Sequence, residues 1–163
     1  MAIGFTGSAL RRLDRERYDA DDLARRLADP GARLLRLDGL DPLFDDAGEL
    51  TWAPLAERDP EDELALLGLV DDRPAFVALT RDPRGKPAFA LFRLLVALPA
   101  PAAALWGTAR SLVDWHARHR FCARCGNGTV LAKGGWQRTC TNDVCKAEHF
   151  PRVDPVTIML VEH

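Results

Sequence analysis

The chain reads as α+β: a β-rich N-terminal domain, a connecting helix and a small cysteine-bearing ribbon. Three observations predict this. Short apolar runs separated by turn signals fill residues 33–98, and an apolar stripe of helical period covers Ala102–Arg120. All four cysteines fall in the last third, as C-x2-C, fourteen intervening residues, then C-x4-C. At 163 residues the chain has room for one ordinary domain and a small module. Its 47% apolar and 28% charged content is that of a soluble globular protein. No apolar run approaches the ~20 residues that a membrane-crossing helix needs.

Residues 1–30 read as an irregular lead-in with one short helix, Leu23–Leu27, capped by Asp21-Asp22 and ended by Asp29-Pro30-Gly31. Arg33–Leu37 is the first strand and closes at Asp38-Gly39. Asp45-Asp46-Ala47-Gly48 is a turn, after which Leu50-Thr51-Trp52 resumes extended structure. Glu63–Val70 and Ala75–Thr80 flank Asp71-Asp72-Arg73-Pro74, a hairpin signal. Beyond the loop Arg81–Pro87, the run Ala88–Leu98 is expected to be a further apolar strand, interrupted by Arg93. The period then changes. Pro99 and Pro101 precede a helix with Leu105, Ala109, Leu112, His116 and His119 on one face, widened by Trp106, Val113 and Trp115.

Cys122, Cys125, Cys140 and Cys145 are spaced as metal ligands. A tetrahedral zinc site takes four soft donors, delivered as two close pairs by two tight turns. Gly126 follows the second ligand, where a positive φ turns main-chain amides toward the sulfurs. Two disulfides would need an oxidising compartment, yet Met1-Ala2-Ile3-Gly4 leads into charged sequence without the apolar core of a signal peptide. A thioredoxin-like redox pair would leave the second cysteine pair unexplained. One structural Zn²⁺ and a cytoplasmic setting are therefore expected. Four thiolates fill the site, so His116 and His119 are assigned to a helix–sheet contact instead. Between the cysteine pairs, Thr129-Val130-Leu131 and Trp136-Gln137-Arg138 flank Lys133-Gly134-Gly135, a hairpin that forms the body of the ribbon.

The net charge of −2 hides an asymmetry. Residues 1–117 hold 15 Lys/Arg against 20 Asp/Glu, whereas residues 118–152 hold 7 against 2. That basic stretch suits a polyanionic ligand such as a nucleotide or RNA, or it offsets the −2 that four thiolates leave on one Zn²⁺. At the C-terminus, Val156–Val161 is a continuous apolar β run after Pro155, as in a strand buried on both faces.

One family shares this arrangement. Trp115-His116 and Arg118-His119-Arg120 lead into Phe121-Cys122-Ala123-Arg124-Cys125-Gly126; then come Gly134-Gly135-Trp136, the second cysteine pair and His149-Phe150-Pro151-Arg152-Val153-Asp154-Pro155. The chain resembles the NADH pyrophosphatases of the Nudix hydrolase superfamily, specifically over residues 88–163 and only in general character over residues 1–87. The resemblance implies an N-terminal domain (1–120), a zinc ribbon (121–150) and the start of a Nudix domain (151–163), with 156–161 as its first strand. It implies cleavage of the NAD(H) pyrophosphate to NMN(H) and AMP, removal of NAD caps from RNA, and a homodimer with no membrane association. It further implies Arg93 and Phe150 as substrate contacts. Arg93 is open to a plainer reading, a salt bridge to a nearby acid, and Phe150 to that of a ribbon core aromatic.

The family's catalytic Mg²⁺ or Mn²⁺ is held by the Nudix box, G-x5-E-x7-R-E-U-x-E-E-x-G-U with U apolar. Here no two glutamates are adjacent, and the sole Arg-Glu step, Arg15-Glu16, continues Arg17-Tyr18-Asp19. The expectation is thus the N-terminal and zinc-ribbon portion of such an enzyme, with no catalytic residue of its own and no hydrolysis by itself. A stand-alone zinc-ribbon module, either nucleic-acid-binding or purely structural, is the alternative.

Overall fold

The computed structural model describes residues 7, 8, 10–86 and 88–152. The expected strand at 156–161, and nearly all of the segment 151–163, lie outside the described residues.

The first helix, α1 (Ala20–Ala28), begins one turn earlier than its apolar residues suggest. Its cap is Asp19 rather than Asp21 or Asp22, because the Asp19 carboxylate accepts from the amides of both. Strands β1 (Arg33–Leu35), β2 (Leu37–Asp38), β3 (Asp41–Pro42) and β4 (Trp52–Pro54) follow. The expected single strand over 33–37 is therefore split, since β2 turns back at Gly39 and pairs with β3. Next come β5 (Leu64–Val70) and β6 (Arg73–Ala78), joined by Asp71 and Asp72 at φ 51° and 58°. That left-handed pair makes a two-residue hairpin turn, so β6 starts at Arg73, two residues before its expected position.

The main sheet has the order β4-β1-β6-β5, with β1 and β6 parallel and both outer pairs antiparallel. Neighbouring residues along its strands enter two different cores. Leu35, Leu67 and Val77 face one side, and Leu34, Leu66 and Phe76 face the other. A bulge between Leu66 and Gly68 inverts that alternation, which is why Leu69 shares a core with Leu66.

The run expected as a strand at 88–98 is instead a helix, α2 (Ala88–Ala97). Its apolar residues are Ala, Leu and Phe with a single β-branched Val96, and Leu91, Leu94 and Leu98 pack on the core at helical spacing. A short apolar run carries no period that separates strand from helix, and here packing decides. Helix α3 (Ala100–Arg118) follows directly, with Pro99 as its N-cap residue and Pro101 in its first turn. It lays Leu105, Trp106, Ala109, Leu112 and Val113 across the first core.

The C-terminal hairpin comprises β7 (Thr129–Ala132), β8 (Gln137–Cys140) and the short β9 (Glu148–His149) in one antiparallel sheet. It is not a free appendage. The Trp136 indole N–H donates to the Leu66 carbonyl at 2.7 Å, and Leu131 and Trp136 pack against the first core. Arg17 stacks on the Trp136 ring at 4.4 Å. At the turn, Gly135 sits at φ 89°, and a Cβ there would lie 2.5 Å from the Ala65 Cβ. Gly135→Ala is expected to destabilise the chain by about 1–3 kcal/mol through both strain and overlap. Gly126→Ala, at φ 77° but facing open space, should cost less, about 1 kcal/mol. Urea unfolding of the two variants checks this order.

Candidate metal centre

Two turns of matching construction carry the cysteines. In the first, the Gly126 amide donates to the Cys122 carbonyl at 2.9 Å and the Arg124 amide to Cys122 Sγ at 3.4 Å. In the second, the Lys146 amide donates to the Asn142 carbonyl at 2.9 Å and the Asn142 amide to Cys140 Sγ at 3.4 Å. Each turn ends in a left-handed residue right after its second cysteine, Gly126 at φ 77° and Lys146 at φ 44°. The β7–β8 register sets Thr129 opposite Cys140, so the sheet brings the second turn over the first.

The four Sγ atoms lie within 4.8 Å of one another, with Cys125–Cys140 at 3.4 Å and Cys122–Cys145 at 3.8 Å. Four thiolates around a zinc ion at ~2.3 Å would stand ~3.8 Å apart, so the donor set fits that ion. Cys122 and Cys140 are buried, Cys145 is partly buried and Cys125 is exposed. Among the described residues, the group whose ligand atoms all lie that close to one another consists of these four cysteines.

Burial and hydrogen bonds act unequally on the four thiols. Burial opposes ionisation of Cys122, but hydrogen bonds from Arg124, His149 and Cys125 outweigh it and bring the thiol down to about 6. Burial pushes Cys140 up to about 12, and the other three sulfurs add to the rise against the Asn142 amide. Cys145 is also raised: burial, Cys125 and Cys122 outweigh its hydrogen bond with Ala147. A bound dication would stabilise all four thiolates at once and release their protons.

Behind the cysteines lies a buried polar knot that residue spacing alone does not reveal. Arg138, only 2% exposed, reaches Glu63 at 3.3 Å, Thr129 Oγ1 at 2.8 Å and the Thr129 carbonyl at 3.0 Å. It also donates to His116 Nδ1 at 3.2 Å, while His116 Nε2 lies 2.7 Å from the Gly135 carbonyl. Those contacts require a neutral ring that donates from Nε2 and accepts at Nδ1. His116 thus joins α3 to the ribbon. His119 bonds the Trp115 carbonyl at 2.7 Å and stacks on the Trp115 ring.

Arg93 and Phe150 are placed differently from the cysteines. Arg93 is exposed on α2, so it is no cation in an apolar strand, and no ion pair is found for it among the described residues. Phe150 is 65% exposed just past β9, which corrects its reading as a ribbon core aromatic. One residue near the metal site was not foreseen. His149 Nε2 stands 3.3 Å from Cys122 Sγ. Its signal in the sequence is slight: a histidine four residues past the last cysteine.

Two outcomes follow from this geometry. Removing the metal, or replacing Cys140 with Ser, should melt residues 121–128 and 141–149, which have little packing apart from the sulfur cluster. The β5–β6 hairpin should keep its protection, as hydrogen exchange can show. Metal binding contributes ~10–16 kcal/mol in comparable modules. His116 adds a pH dependence. Burial, reinforced by Arg138 and opposed by the Gly135 carbonyl, lowers it from 6.5 to about 4. The unfolded chain then binds the extra proton between those values, so stability is full above about pH 6.5 and is lost as pH falls toward 4. His116→Gln should flatten that part of the stability profile by up to about 3 kcal/mol, seen by denaturation at stepped pH.

Comparison with known proteins agrees with this geometry. A family profile described as the NADH pyrophosphatase zinc ribbon domain matches residues 117–150. The NAD-capped RNA hydrolase NudC of Mycobacterium tuberculosis is 31% identical over 160 residues, covering 92% of this chain and 50% of that protein. NudC of Deinococcus radiodurans is 33% identical over 121 residues, 73% of this chain and 41% of that protein. Human NAD-capped RNA hydrolase NUDT12 is 40% identical over 75 residues, 42% of this chain and 16% of that protein. The chain thus spans half or less of the length of these relatives. With its zinc-ribbon cysteines in place and its likeness to NudC running through the N-terminal domain, the chain belongs to the NADH pyrophosphatase family of the Nudix hydrolases.

Proposed function

We propose that this chain serves as the N-terminal and zinc-ribbon portion of a hydrolase that cleaves the pyrophosphate of NAD(H) to NMN(H) and AMP, and that also removes NAD caps from RNA. The observation that carries the reading is the four-thiol centre docked on the β-rich domain, in a chain related to NAD-capped RNA hydrolases through most of its length. Zinc has a structural role here. Four protein ligands leave no position for a water molecule, so the ion holds the two turns together and takes no part in hydrolysis.

The hydrolytic step would use Mg²⁺ or Mn²⁺, which polarises the phosphates and lowers the pKa of an attacking water. Among the 163 residues no two glutamates adjoin, so the family's cation-binding carboxylates are not gathered here. What these residues do is hold and present. The exposed ring of Phe150 offers a stacking face to a base or a nicotinamide, without a hydroxyl to hydrogen-bond it. The exposed Arg93 guanidinium offers a fork of donors to a phosphate. Domain limits at 120 and 150, a homodimer that brings Phe150 near a partner's nucleotide and a cytoplasmic location belong to the same proposal.

The basic stretch supports a stand-alone nucleic-acid module less than its charge suggests. Arg118, Lys133, Arg138 and Lys146 are each ion-paired with Asp114, Glu148, Glu63 and Asp143. Asp143 and Glu148 belong to the stretch itself, and Asp114 and Glu63 come from outside it and offset two of its five excess charges.

The test separates the two halves of the proposal. The product of the native gene should release AMP and NMN(H) from NAD(H) with Mn²⁺, and Phe150→Ala should raise KM about tenfold with little change in kcat. The isolated 163 residues should bind zinc and release no AMP. Turnover by the isolated residues would reveal an active site within them. No turnover by the native product would overturn the hydrolase reading.

A further inference from the structure

Cys122 is the most heavily supported sulfur of the cluster. It receives the Arg124 amide at 3.4 Å and faces His149 Nε2 at 3.3 Å, whereas Cys140 has the Asn142 amide at 3.4 Å and Cys125 only the Asn142 side chain at 4.0 Å. The imidazole is held in place by the sheet. The β8–β9 register sets His149 opposite Arg138, two residues before Cys140 on the same strand. Its ring comes from the strand that leaves the ribbon, across a sequence gap of 27 residues. This contact is therefore not part of either cysteine turn.

We propose that His149 is a positioning residue of the metal centre: its Nε2–H donates to the Cys122 thiolate and ties β9 to the metal. A thiolate that accepts N–H bonds spreads its charge onto the donors and is a weaker nucleophile toward protons and oxidants. The rest of its role is geometric. With Cys122 fixed, His149 fixes β9, and β9 fixes the direction in which Phe150, Pro151 and Arg152 leave the ribbon. Loss of the metal should therefore loosen this exit segment as well as the two turns. The inference rests on the metal centre and not on the hydrolase reading, so either can fail without the other.

The zinc-loaded 163-residue chain supplies the test. Peroxide-driven zinc release, followed with a chromogenic chelator, should be about tenfold faster in His149→Phe, which fills the same space without a donor. His149→Gln, which keeps an N–H, should restore a rate near that of the wild type. With Co²⁺ in place of zinc, the sulfur-to-cobalt charge-transfer band should move to lower energy in His149→Phe and return in His149→Gln. A purely packing role would move neither band nor rate in this pattern. Nitrogen-15 NMR of the wild-type zinc protein needs no variant, and it should find the proton on Nε2. Wild-type behaviour of His149→Phe, failure of His149→Gln to restore it, or an Nε2 that is bare or metal-bound would each overturn the proposal.

Discussion

The rest of this structure depends on where Arg138 puts its charge. Burying a guanidinium costs several kcal/mol unless every donor finds a partner. Here the partners come from three separate parts of the chain: Glu63 ahead of β5, His116 on α3, and Thr129 on the neighbouring ribbon strand. The charge is satisfied only when sheet, helix and ribbon are assembled together. His116 must also stay neutral, because a protonated ring would set a second cation against the first and would lose the acceptor at Nδ1.

Around that knot the ribbon is joined to the domain by contacts that tolerate little change. The turn at Gly134-Gly135 rests directly on Ala65, and Trp136 bonds the Leu66 carbonyl beside it. The sulfur cluster stands at the opposite end of the hairpin, where little else packs. The two ends thus have different sources of stability. Burial and hydrogen bonds hold the base, and metal coordination holds the tip. Cys122, buried and bonded by two nitrogen donors, sits where the tip meets the strand leading onward to Phe150.

This division suits the task proposed for the ribbon, presentation of Phe150 to a ligand. A ribbon loose at its base would let Phe150 wander, and a ribbon with an open metal position would invite chemistry at the wrong place. Short ion pairs within the ribbon, such as Lys146 with Asp143, quiet its surface charge without reaching the core.

Much of this was legible in the order of residues. The cysteine spacing specified a four-thiol centre because ligand geometry is local to each turn. The α3 stripe and the β5–β6 hairpin were readable because period and turn chemistry are also local. The run at 88–98 was not, since ten apolar residues around Arg93 fit a strand or a helix until Leu91, Leu94 and Leu98 find the core. Nor was the setting of Arg138, Glu63 and His116, which lie up to 75 residues apart and meet only in the folded chain. His149 belongs with them: sheet register, not spacing, carries its ring to Cys122. Sequence alone determined the metal and the main elements, because those follow from neighbours along the chain. Tertiary structure decided how the ribbon is docked, because a buried charge and a missing Cβ take their meaning from what packs against them.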